Sequence, residues 1–205
     1  MSPVLVVLAL APLAACTTTS FESTWRDPEA RPVRLEGKKV VGIFMTNRPA
    51  IRRRAEDAMA REISARGAQG VPAYTVLSDE EVKDPAASRA KLESLGFSGA
   101  VTMRVVGRET QYTYQPDVVW VRPYYRTFWG GYWTWGWGTV YEPGYLTADR
   151  VVKVETLVYS LEQDRLIWAG VSRTLDPERI ESFIGELAKA VTKQLVKAGL
   201  LQERA

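Results

Sequence analysis

Cys16 is the only cysteine in a chain of 205 residues, and histidine is absent. Those two counts remove most side-chain chemistry at once. A Ser–His or Cys–His nucleophile has no base to activate it, an ordinary zinc site lacks ligands, and a disulfide within the chain lacks its second thiol. Oxygen ligands remain for a metal, but no calcium-loop spacing occurs. Asp117, Glu142, Asp149 and Glu155 are carboxylates that could pair as acid and base, yet sequence alone brings no two of them to glycosidase spacing, and they read as solvated charges. Ser160 and Ser172 fall on expected strands with nothing to activate them. Gly136-Trp137-Gly138 neither follows a clean strand nor opens a helix, so it is no phosphate loop. Arg52-Arg53-Arg54 reads as a solvated helix face. The expectation is a non-catalytic protein with no cofactor and no metal.

Cys16 itself has a setting. Val4 to Ala15 is an uncharged apolar run broken only by Pro12. A bilayer span needs about 20 apolar residues, so this run fits the apolar region of a secretory signal instead. It ends in Leu13-Ala14-Ala15-Cys16, which resembles the lipobox of bacterial lipoproteins. That resemblance implies cleavage before Cys16, a diacylglyceryl group on its thiol and acylation of the new amino terminus. More than one acyl chain makes such anchoring stable. Met1-Ser2-Pro3 departs from the secretory pattern in carrying no Lys or Arg; either export tolerates this or the start codon lies upstream. Thr17, being other than Asp, implies by the same resemblance transfer to the outer membrane, with the chain facing the periplasm. The membrane, reached through lipidated Cys16, is the first expected partner.

The second unusual feature lies between Tyr112 and Tyr145, which hold five of the seven tryptophans and seven of the nine tyrosines. Trp120, Trp129, Tyr132, Trp133, Trp135 and Trp137 are the candidate binding surface. Glycines are interleaved and charges are few. A loop this long is usually functional or disordered, and its aromatic load argues against disorder. Four readings stand side by side. The rings pack over the domain's own sheet or across a homo-oligomer interface; they sit at a membrane interface; they stack on sugars of peptidoglycan; or they meet another envelope protein. In the membrane reading, Gly130-Gly131 turns a hairpin whose return strand puts Trp133, Trp135 and Trp137 on one face.

The elements that must position these residues follow from composition and periodicity. Hydrophobic residues make up 46% and charged residues 25%, a globular balance, and a net charge of +3 is too slight to indicate nucleic acid. Residues 16–37 read as a polar tether, with Trp25 docking onto the domain. Lys38 to Met45 has the profile of a buried strand. Asn47 and Pro49 open a helix whose apolar face is Ile51, Ala55, Met59 and Ile63, with Arg52 and Glu56 on the other faces and Gly67 as its stop. Val71 to Leu77 is strand-like. Ser78 and Glu81 can form a capping box, and Asp84-Pro85 starts a helix with Ala90, Leu92 and Leu95 as its apolar side. Gly99 to Val106 is a strand, and after the insertion at 112–147, Arg150 to Leu161 and Leu166 to Thr174 form a hairpin. Ile180, Phe183, Ile184, Leu187, Val191 and Leu195 mark a last helix before a tail at 201–205. The expected fold is α/β: one domain over 38–200, a mixed sheet with two to three packed helices, in the order β-α-β-α-β-β-β-α.

Lys39 to Met45, the helix up to Gly67, Ala73-Tyr74-Thr75-Val76-Leu77 and the pair Val158-Tyr159 and Leu166-Ile167-Trp168-Ala169-Gly170 resemble bacterial lipoproteins of a domain-of-unknown-function type. Similar α/β domains occur in the amino-terminal domain of TolB, the curli-secretion lipoprotein and lipoprotein activators of penicillin-binding proteins. The resemblance is one of element order, so it implies fold, a binding or assembly role in the envelope, and, from the curli case, an oligomeric membrane-contacting component as an alternative. It supplies no catalytic residue.

Overall fold

The computed structural model describes residues 19–110, 126–138, 150–175 and 180–203. Six strands form one mixed sheet in the order β1-β6-β5-β4-β2-β3: β1 Thr19–Arg26, β2 Lys39–Met45, β3 Gln69–Pro72, β4 Phe97–Thr110, β5 Arg150–Ser160 and β6 Arg165–Leu175. The β4–β2–β3 half is parallel and the β1–β6–β5–β4 half antiparallel. Helices α1 (Pro49–Ser64) and α4 (Ile180–Lys197) cover one face. Helix α2 (Pro85–Ser94) and a short helix α3 cover the other, α3 being a π-helical turn Phe128–Trp133 continued by Thr134–Gly138. The domain is α/β with helices on both faces of the sheet.

Side-chain alternation assigns the faces. On β4, Val101, Met103 and Val105 join Ala55, Met59, Ile63, Leu187 and Val191 in one core. Ala100 joins Val41, Ile43, Leu92, Leu157 and the aromatic residues of α3 in the other. The period of two is what sends Arg104 to the α3 side.

Several expectations change in detail. Residues 19–26, expected within the tether, form an edge strand antiparallel to β6, with Phe21 against Trp168 at 6.0 Å. Trp25 packs on the α2/α3 core from this strand. Val71 to Leu77 is not one strand: β3 stops at Pro72, and Ala73–Thr75 coils as a 3-10 turn. Pro72 can give no amide to a longer ladder. The residue ahead of α1 is Arg48 rather than Asn47, and it makes no side-chain cap. The Ser78–Glu81 capping box is present, Ser78 N donating to Glu81 Oε2 at 2.8 Å and Glu81 N to Ser78 Oγ at 3.1 Å; it opens a 3-10 turn. Asp84 then caps α2 through the amides of Ala86 and Ala87. On α2 only Leu92 and Ser88 are buried, whereas Ala90 and Leu95 are exposed. The segment after Gly130-Gly131 is helical, not the return strand of a hairpin.

Candidate functional site

Where β3 stops, the neighbouring strand β2 is left with an amide to satisfy. Glu56 of α1 supplies the acceptor: its carboxylate receives Phe44 N at 3.2 Å and Tyr74 N at 2.7 Å. Gly70 allows this close approach of α1 to β3, since a Cβ there would overlap the Ala60 carbonyl. Arg52, one turn earlier, donates Nε to Glu56 at 3.0 Å and Nη1 to Asp79 at 3.0 Å. Both Arg52 and Glu56 are buried, at 6% and 0% exposure, so neither lies on a solvated face. Burial drives the Glu56 pKa above its ordinary value, against the pull of Arg52 and the two amides.

A second buried pair lies on the α3 side of the sheet. Arg104 and Glu155 face each other across β4 and β5, Nε to Oε2 at 2.7 Å, with 6% and 2% exposure. Glu155, read from sequence as solvated, is therefore interior. Tyr132 donates its hydroxyl toward the same carboxylate oxygen at 3.4 Å.

Helix α3 closes over both pairs. Asp164, in the β5–β6 turn with φ 43°, accepts Phe128 N at 3.0 Å and Trp129 N at 3.4 Å and so caps the helix start. Phe128, Trp129, Tyr132 and Trp133 are buried. Trp133 donates Nε1 to Val82 O at 3.2 Å, and Phe128 and Tyr132 lie 4.9 and 5.5 Å from the Tyr159 ring. Trp129, Trp133 and Trp137 stack as a row four residues apart, with centroids at 5.4 and 6.0 Å. Trp135 and Trp137, at the carboxyl end of the helix, stay half-buried. Trp135 lies 4.0 Å from the Arg104 guanidinium carbon and Trp137 5.5 Å from that of Arg52. Each arginine thus has a carboxylate on one side and a tryptophan face on the other.

Of the sequence-predicted surface, Trp129, Tyr132 and Trp133 lie in the core, and Trp135 and Trp137 form its rim. Trp120, Cys16, Leu13, Ala14 and Ala15 lie outside the described residues. Sequence reasoning placed Arg52, Glu56 and Glu155 in solvent and passed over Arg104, whereas all four are buried. The one signal for the last two was a charge set inside an otherwise apolar, β-branched strand. Among the described residues no cluster of three metal-ligating side chains occurs, and no helix is long and apolar enough to cross a membrane. An open cleft of about 360 Å³ at the far end of the sheet is bridged by the Lys38–Glu162 ion pair, whose partners are about half exposed.

The fold and site together define an α/β domain carrying an aromatic rim laid over two buried arginine–glutamate pairs. No protein-family model and no curated protein matches the chain. Among solved structures, it is similar to the PelC dodecamer from Paraburkholderia phytofirmans in space group P6, at 12% identity and a TM-score of 0.47 over 90% of this chain and 99% of that one. A substituted PelC dodecamer in space group C2 matches at 14% identity and a TM-score of 0.45, over 83% of this chain and 95% of that one.

Proposed function

We propose that this protein is an outer-membrane lipoprotein, anchored through Cys16 and facing the periplasm, whose domain binds or assembles rather than catalyses. The observation that carries the binding role is the contrast along α3. Four of its rings are fixed in the core, and Trp135 and Trp137 are thereby held half-exposed over Arg104 and Arg52. A rigid aromatic surface backed by arginine loses little entropy on contact and has the composition of a binding hot spot. The carboxylates beside it do not read as catalytic, since Glu56 and Glu155 are taken up by amides, arginines and a tyrosine.

The partner favoured is protein, either a second copy or another envelope component. A glycan reading has one observation in its favour: Trp135 and Trp137 are half-buried rings set beside the Arg104 and Arg52 guanidiniums, and saccharides stack on aromatic faces beside polar groups. The test is the paired substitution Trp135→Ala and Trp137→Ala in a soluble Cys16→Ser form. In the assembly case the sedimentation coefficient falls to that of a smaller species. In the glycan case the fluorescence response to peptidoglycan fragments is lost while sedimentation is unchanged. If neither moves, the rim is not the contact surface.

A further inference from the structure

We infer that the domain does not hang freely from its anchor but stands with one end of its sheet against the bilayer headgroups that hold the Cys16 acyl chains. This rests on the lipoprotein reading and adds an orientation to it. Strand β1 begins at Thr19, three residues after Cys16. Three residues reach at most about 10 Å. Thr19 is in register with Thr174, which pairs with Val152, which pairs with Arg108. That row lies near the carboxyl end of β4, so the β1 corner of this end is confined to within about 10 Å of the acylated residue, and β4, three strand spacings across, to within about 25 Å.

The surface there suits a headgroup layer. Helices α1 and α4 both begin at this end, the first a few residues beyond Met45 of β2 and the second five residues beyond Leu175 of β6. The positive dipole end of α1 faces the phosphates with Arg48 exposed ahead of it, while that of α4 carries Glu181, whose charge is met by Arg54. Three large apolar side chains are substantially exposed among the described residues, and two of them, Val106 and Leu175 at 39% each, belong to this end. Val106 is turned out of the ladder where the β4–β5 register shifts between Val105 and Gly107. The third, Leu95 at 38%, lies at the opposite end beside the start of β4. Leu95 and Leu175 are thus a matched pair of probes.

The experiment uses the full lipidated chain in vesicles of phosphatidylethanolamine and phosphatidylglycerol. Leu175→Cys or Leu95→Cys carries an environment-sensitive fluorophore, the Cys16 thiol being blocked by its lipid. The label at 175 is expected to shift to the blue and to be quenched by nitroxide lipids at least threefold more than the label at 95. Inserting ten Gly/Ser residues after Thr18 is expected to erase that difference, since a chain of this kind spans roughly 5–6 Å × √n. Equal quenching of the two labels without the insert, in protein whose intact mass includes the acyl groups, overturns the orientation and leaves the lipoprotein reading standing. An intact mass without acyl groups on Cys16 overturns that reading, and the orientation with it.

Discussion

Glu56 carries a charge into the interior because three donors converge on it. Glu56→Ala removes the acceptor as well as the charge, which leaves Phe44 N and Tyr74 N without it and Arg52 buried with only Asp79 opposite, itself 74% exposed. Breaking a buried pair in this way costs about 3 kcal/mol, read as a drop in the urea midpoint at neutral pH, whereas Glu56→Gln, which matches the shape of the protonated side chain, should cost much less. The pH dependence has a definite sign. The folded-state pKa of Glu56 lies above 4.5, raised first by burial, so the folded protein takes up this proton more readily than the unfolded chain does. That contribution is complete below the unfolded pKa and is lost as pH rises through the folded one. Glu81 and Glu162 act oppositely. Their folded pKa values are lowered, chiefly by hydrogen bonds from Lys91 and Lys38, so their contribution is present above the unfolded value and lost as acid passes below it. Wild type should therefore gain stability on acidification above pH 4.5 relative to Glu56→Gln, measured by urea unfolding at a series of pH values. Parallel curves for the two proteins would show that Glu56 titrates as it does in the unfolded chain.

Helix α3 is the element whose form was hardest to read. Gly130, Gly131 and Gly136 disfavour a helix by intrinsic propensity, and alternation from Tyr132 to Trp137 suits a strand. The competing signal was the spacing of Trp129, Trp133 and Trp137, four apart, which is the row that stacks. Tertiary packing on Tyr159 and Leu157 decides in favour of the helix. Its start depends on Asp164, which no local pattern could link to residues thirty-six positions earlier. Asp164→Ala removes the cap and puts a Cβ-bearing residue without a helping side chain at φ 43°, a combined cost of about 2 kcal/mol. Asp164→Asn keeps an acceptor and tolerates that backbone, so it should lose much less. Near-ultraviolet circular dichroism of the tryptophans and the thermal midpoint should both fall for Asp164→Ala and hold for Asp164→Asn. By contrast, α1, α4, the β5–β6 hairpin and the Asp84 cap were legible because their apolar periods and end signals are local.

At the scale of the molecule, the sheet is completed by a strand that sequence assigned to a linker. Thr19-Ser20-Phe21-Glu22-Ser23-Thr24-Trp25-Arg26 has no apolar run, because an edge strand buries little and its pairing partner β6 lies nearly 150 residues further on. Without it β6, whose Trp168 is 97% buried and whose Gly170 sits against Phe21, would become an open edge. The rest of the anchoring segment also clamps the domain: Asp27 and Glu29 pair with Arg165, and Leu35 N donates to Leu200 O at 3.0 Å. A chain beginning at residue 27 keeps these clamps and loses only β1. It should unfold at lower denaturant and self-associate through the bare β6 edge, visible as concentration-dependent sedimentation, whereas a Cys16→Ser chain beginning at residue 16 should not show this β6-edge association. Equal stability of the two would mean that β1 lies on the sheet without supporting it. The orientation relative to the membrane would survive that outcome, because Thr19 would still be held in register with Thr174; only a β1 that leaves the sheet lengthens the tether enough to let the domain rotate.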